Sequence, residues 1–250
     1  MKAAKNPLLL LIESVKSAAD KSDLVLLDTC ALQKSEYNSG IIDDLIAGVP
    51  NEALVSYRDR LGVMAALAES NTKIALTPEV RGEVDRLYVL LRDNLAGLQL
   101  LASRGGATRA GKRPYPDLRG RINIMMETVD NVKYLKNLDR LPGDTSFDGF
   151  ASRFRRIAAD LGHDYGPADV GIAARAFYEN IEGRQAAVFT NDTALVRLLD
   201  DVYPVIRETA GRGMRAWLDE RPTLLYLPDR GNLPAYKLVR QTAGAAAASA

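Results

Sequence analysis

Cysteine, histidine and tryptophan each occur once in this chain of 250 residues, as Cys30, His163 and Trp217. A lone cysteine forms no intramolecular disulfide, so the fold must rest on its core, and a reducing compartment fits best. One cysteine and one histidine are also too few for a Cys/His zinc site or a Cys–His catalytic pair on the usual spacings. Neither sign of charge dominates. The 33 Lys and Arg set against 32 Asp and Glu leave a net charge of +1, which argues against a histone-like polyanion binder. Long apolar runs are missing too. Pro7-Leu8-Leu9-Leu10-Leu11-Ile12 is closed by Glu13, too short for a signal-peptide core and far short of the roughly 18 residues of a membrane span. A cytoplasmic protein without a membrane partner is the expectation. Gly105-Gly106 lies in neither a G-x-x-x-x-G-K-[ST] nor a G-x-G-x-x-G pattern, so no phosphate loop is expected there.

What remains is ordinary globular material, 47% hydrophobic and 26% charged, enough for one large domain or two small ones. Residues 7–20 have the pattern of an amphipathic helix. Leu24-Val25-Leu26-Leu27 is a short continuous apolar run ending at Asp28, the mark of a strand buried on both faces. Helical patterns follow to about residue 70, and Lys73-Ile74-Ala75-Leu76 is a second short strand. Thr77-Pro78 supplies an N-cap followed by proline in the first turn, opening a helix to about Ser103. Glycines and prolines over 104–120 predict a loop, and two or three helices fill 121–162. A helix opens after Gly166-Pro167 and ends near Asn180. Ala186–Thr190 is a third strand, followed by Asn191-Asp192 and a helix to about Leu199. Tyr203–Ile206 and Thr223–Tyr226 are expected to add strands, and the small-residue tail Ala243–Ala250 to be disordered. Short apolar strands separated by helices predict an α/β fold, a three-layer α/β/α sandwich on a central parallel sheet.

Ligands of open parallel sheets bind beyond the carboxyl ends of the strands. Two strands end at aspartates there: Asp28 directly after Leu27, and Asp192 just after Thr190-Asn191. Each is also a plausible N-cap for the next helix. Glu83 borders the apolar stripe Val80, Val84, Leu87 and Leu91 of its helix, where a carboxylate must snorkel, pair or bind a cation. Glu79, one turn earlier, is accounted for by the helix dipole. Asp169 lies on the stripe of Ile172, Ala173, Ala176 and Phe177 in the first turn of its helix. Four acids at one sheet edge would repel each other without a counter-charge, and Mg²⁺ or Mn²⁺ is the natural one. Such ions deprotonate water and neutralise the charge that develops in phosphodiester cleavage.

Four segments together resemble the signature segments of PIN-domain nucleases, in that family's order. They are Leu26-Leu27-Asp28-Thr29-Cys30-Ala31-Leu32, Thr77-Pro78-Glu79-Val80-Arg81-Gly82-Glu83-Val84, Ala168-Asp169-Val170-Gly171-Ile172-Ala173-Ala174-Arg175-Ala176 and Val188-Phe189-Thr190-Asn191-Asp192-Thr193-Ala194-Leu195. The resemblance implies a Mg²⁺- or Mn²⁺-dependent endonuclease that acts on RNA. Asp28 and Asp169 would be the chief metal ligands, Glu83 and Asp192 would complete the acidic pocket, and Thr190 and Asn191 would support it. It covers roughly 22–92 and 163–207. The expected organisation is an N-terminal helical extension over 1–21, a PIN-like domain over 22–207 and a C-terminal extension over 208–250. The long insertion at about 101–162 and the two extensions depart from the compact toxins of that family. An antitoxin or other protein partner, and a homodimer, stay open.

The insertion carries Arg104, Arg109, Lys112, Arg113, Arg119 and Arg121 with Tyr115 among them, a set suited to RNA phosphates and a stacked base. Arg153, Arg155 and Arg156 form a second basic cluster. A solvated loop is the competing account of the first. Cys30 is expected to be a packing residue, and His163 a loop or capping residue. Two other functions compete: a non-catalytic PIN-like module that binds RNA or supports an assembly, and another metal-dependent phosphohydrolase. A phosphatase of the haloacid-dehalogenase type would want a second aspartate two residues after Asp28, where Cys30 stands.

Overall fold

The computed structural model describes residues 7–32, 51–104, 117–138, 141, 144–162, 165–190, 192–209, 223–226 and 237–239. Asn191, His163, Trp217, Arg109, Lys112, Arg113, Tyr115 and the 243–250 tail lie outside them. In chain order the described elements are α1 (Pro7–Lys21), β1 (Leu24–Leu27), α2 (Thr29–Leu32), α3 (Asn51–Ser70), β2 (Ile74–Ala75), α4 (Pro78–Ser103), α5 (Leu118–Lys136), α6 (Thr145–Asp160), α7 (Pro167–Ile181), β3 (Ala186–Thr190), α8 (Thr193–Thr209), β4 (Thr223–Tyr226) and β5 (Lys237–Val239). The chain divides into two compact units, one of Met1–Ala31, Leu67–Val80 and Asp139–Ala250, the other of Leu32–Ala66 and Arg81–Leu138. Among the described residues no helix is long and apolar enough to cross a membrane.

The first unit is α/β. Its sheet has the order β2-β1-β3-β4-β5. The pairs β1–β2, β1–β3 and β3–β4 are parallel, and β5 runs antiparallel to β4. Successive residues of a strand point to opposite faces. Val25, Leu26 and Leu27 of β1 and all of β3 are buried, so both faces of the central strands are covered. Helix α1 packs on β1, β3 and β4, and α7 packs on β1 and β3. Lys73, at the entry to β2, donates through Nζ to the carbonyls of Ala19 and Ser22 at 2.8 and 2.9 Å. A cation on the orphan carbonyls at a helix C-terminus satisfies them and opposes the dipole, tying α1 to the sheet.

The second unit is helical among its described residues. Arg58 of α3 pairs with its neighbour Asp59 and with Glu127 of α5 at 3.2 Å. Lys136 reaches Asp85 of α4 at 2.8 Å and lies over the Tyr88 ring. Gly62 of α3 faces the Asn131 side chain of α5, where a Cβ would come within 3.3 Å.

One expectation fails. Tyr203–Ile206 is not a strand but part of α8, which runs on to Thr209. Leu195, Leu198, Leu199, Val202, Tyr203 and Ile206 are all buried at helical spacing. That continuous stripe outweighs Pro204, which sits inside the helix on its exposed side. There the Asp200 carbonyl, deprived of its i+4 donor, is not trapped in the core.

Among the described helices of the first unit α7 is the most buried, with Ala168 and every residue from Val170 to Asn180 buried. Small residues at Ala168, Gly171, Ala173, Ala174 and Ala176 let the sheet, α6 and α8 approach it. Phe177 links two of these neighbours, at ring-centroid distances of 5.8 Å to Phe154 of α6 and 6.4 Å to Tyr203 of α8. Two charges are buried with it. Arg175 Nη2 stands 2.6 Å from Glu179 Oε1, one turn on, with both side chains 4% exposed. This is a contact of charges rather than an aligned hydrogen bond, and Arg175 Nε has no hydrogen-bond partner. The guanidinium gains instead from the Phe147 ring, 4.9 Å away. Glu179 is held a second time by Arg184, whose Nε donates to Oε2.

Removing one member of such a pair strands the other in the core. Glu179→Gln is therefore expected to lower unfolding free energy by about 3 kcal/mol, measured by urea denaturation. An unchanged midpoint would mean that Arg184 or water compensates. Tyr178 gives a pH signature. Its hydroxyl donates to Asp144 at 2.5 Å. That bond, followed by burial, pushes the phenol up to about 12. The same bond, with the Ser146 amide next, holds the Asp144 carboxyl below its ordinary value. A raised phenol stabilises the fold below its unfolded value near 10, and that contribution is lost as pH rises through about 12. The lowered carboxyl contributes above its unfolded value and loses this as pH falls through its folded one. The stability difference between wild type and Tyr178→Phe should thus be flat from roughly pH 5 to pH 9 and shrink on both sides. Ultraviolet titration should show one fewer tyrosine ionising near pH 12 in the variant.

Candidate functional site

The parallel pairing of β1 with β3 sets Leu27 opposite Phe189. One residue further, the Asp28 N–H continues the ladder to the Phe189 carbonyl at 3.0 Å. This brings the Asp28 carboxylate beside the Thr190 side chain at the carboxyl edge. Both are buried, Asp28 at 2% and Thr190 at 0% exposure. A carboxylate so enclosed needs donors. Thr190 Oγ1 donates to Asp28 Oδ2 in a close contact, and the Cys30 N–H donates to Oδ1 at 3.3 Å. The Thr190 hydroxyl then accepts from the Asp192 N–H at 2.9 Å. Asp192 Oδ1 accepts from the Ala194 N–H at 2.7 Å, capping α8. The Cys30 thiol faces Asp192 Oδ2 at 3.9 Å, a weak sulfur contact that closes a ring of four residues. Capping and convergence are therefore both realised: each aspartate caps the helix after its strand, and the two meet through Thr190 and Cys30.

Asp169 reaches the same edge by another route. The Ala186 N–H, at the start of β3, bonds Asn180 Oδ1 in the last turn of α7, at 3.0 Å. Helix α7 thus returns along the sheet, and its first turn belongs to the carboxyl side. Glu79, just past the end of β2, independently marks that level. A Cβ on Gly171 would stand 2.6 Å from Glu79 Oε2, so glycine is what admits this carboxylate against α7. Glu79 Oε1 in turn accepts from Arg155 of α6 at 3.1 Å. Asp169 is half-buried and folds back over the helix start, where a Cβ on Gly166 would lie 3.3 Å from its Oδ2.

Thr190 thus touches both Asp28 and Asp192, and Asp169 lies on the same side of the sheet. Glu83 belongs to the second unit, where its carboxylate lies 3.9 Å from Arg86. Of the basic residues expected to meet RNA, Arg104 and Arg119 are exposed, whereas Arg121 is 5% exposed. Among the described residues no three His, Cys, Asp or Glu side chains are grouped so as to hold a metal ion. Two participants were not expected from sequence. Cys30 had no visible base, because its partner Asp192 is 162 residues away. Glu79 was fully explained by the helix dipole, although an isolated glycine inside the apolar α7 pattern was the available sign of a close approach.

Set against models of protein families, curated proteins and solved structures, the chain matches none of them.

The Thr190 hydroxyl serves two partners at once. Thr190→Val should cost about 1–3 kcal/mol in urea denaturation, since it removes a hydroxyl donor from a buried carboxylate. Thr190→Ser should recover most of this. An isostable valine variant would show that the hydroxyl does not hold the edge together.

Proposed function

We propose that this chain is a PIN-like, metal-dependent endoribonuclease, with helices on both sheet faces as the three layers of an α/β/α sandwich. The observation that carries the reading is the meeting of Asp28 and Asp192 across Thr190 at the carboxyl edge of adjacent parallel strands. Their donor set is hard oxygen, which suits Mg²⁺ or Mn²⁺, ions that are content with one or two carboxylates and several waters. The Cys30 thiol at 3.9 Å is a weak occupant of Asp192 Oδ2, which keeps lone-pair capacity beside it. The residues present therefore fit such an ion.

Bound there, the metal would supply an activated water and neutralise charge developing on the phosphate. Asp28 and Asp192 would hold it, with Thr190 fixing the Asp28 rotamer as an outer-sphere partner. Asp169 adds a third negative charge at that edge. Glu83 and Asn191 enter the reading from the resemblance alone. A cytoplasmic setting belongs to it as well, on the strength of the single cysteine.

The capping bonds made by both aspartates favour a second reading, a non-catalytic RNA-binding or assembly module in which the carboxylates only organise the loops. Cleavage of end-labelled single-stranded and hairpin RNA in Mn²⁺, Mg²⁺ or EDTA separates the two. The nuclease reading expects metal-dependent cutting that Asp28→Asn or Asp169→Asn lowers by at least 100-fold, with the fold retained in Asp169→Asn, whose side chain is half-buried. RNA binding that persists in EDTA, with no cutting in either metal, would establish the module instead.

A further inference from the structure

Deepening the nuclease reading on which it rests, we infer that Arg153 and Arg156 on the outer face of α6 hold the phosphates of a single-stranded RNA beside the acidic edge. Three aspartates at one edge repel a polyanion, so a strand cut there must be gripped by cations nearby. The Arg155–Glu79 bond identifies where such cations stand. Glu79 lies just past the carboxyl end of β2, and its carboxylate enters the notch at Gly171 in the first half of α7. Arg155 is therefore at the level of the carboxyl edge, and its turn of α6 comes with it.

The three arginines are exposed but not equivalent. Arg155 is engaged by Glu79, which anchors α6 at this edge. Arg153 and Arg156 are one turn apart on the helix, so their side chains share a face. Among the described residues neither takes part in an ion pair, which leaves both guanidinium forks available for phosphate oxygens. Backbone contacts of this kind position a strand without reading its sequence.

The test is binding of the full chain to a short fluorescein-labelled single-stranded RNA, by anisotropy in EDTA over a series of KCl concentrations. Arg153→Ala/Arg156→Ala is expected to weaken binding at least tenfold, equally for different base sequences. It should also reduce the slope of log affinity against log salt by about 0.7 for each arginine removed. Both sites are exposed, so circular dichroism should show the fold unchanged. Unaltered affinity and slope would overturn the inference. So would an equal loss in Arg104→Ala/Arg119→Ala, which removes the same charge from the other unit. Wild-type protein that cuts RNA in metal but shows no EDTA-resistant binding would sink the arginine grip and leave the nuclease standing. The expected loss of binding in a protein that never cuts would uphold the grip and end the nuclease reading. Stronger binding of duplex RNA than of the single strand would also count against it.

Discussion

A carboxylate with 2% exposure at the end of a parallel strand is the constraint around which the first unit is arranged. Asp28 cannot stay charged there without donors, and two of them come from its own turn and from the neighbouring strand. The Cys30 amide comes from the turn it caps, and the Thr190 hydroxyl comes from the adjoining strand. That second bond requires β1 and β3 to pair in the observed register, because a one-residue slip would turn Thr190 to the other face. The same hydroxyl then orders the Asp192 amide and, through it, the start of α8. Strand pairing, helix initiation and the placing of two acids are thus one hydrogen-bonded unit.

Helix α7 plays the complementary part. Because it is buried on nearly all sides, it must offer small residues where others press close and must pair any charge it carries inside. Gly171 meets the first demand by admitting the Glu79 carboxylate, and Glu179 meets the second by sharing itself between Arg175 and Arg184. The consequence for function is positional. Whatever chemistry the carboxyl edge performs, α7 sets the level at which α6 and its arginines stand beside it.

Much of this was legible in the chain. The apolar runs before Asp28 and within Ala186–Thr190 announced strands buried on both faces, and Thr77-Pro78 and Gly166-Pro167 announced the helices that follow. These signals are local, since they depend on periodicity and on the chemistry of a few adjacent residues. Where two local signals competed, sequence reasoning chose wrongly. The short stretch Tyr203–Ile206 was expected to be a strand, whereas the stripe from Leu195 to Ile206 carried the helix through.

The candidate acids were also visible one at a time, as strand ends and helix first turns, because each sits where a cap or a dipole would favour it. Sequence by itself determined the element types, the apolar faces and the presence of carboxylates at strand ends. Tertiary structure alone decided which carboxylates meet. Asp28 and Thr190 are 162 residues apart, as are Cys30 and Asp192, and only the β1–β3 pairing closes those distances. It also decided that Glu79 would lie against α7 and Arg155, because the space left by a missing Cβ exists only once two helices have packed.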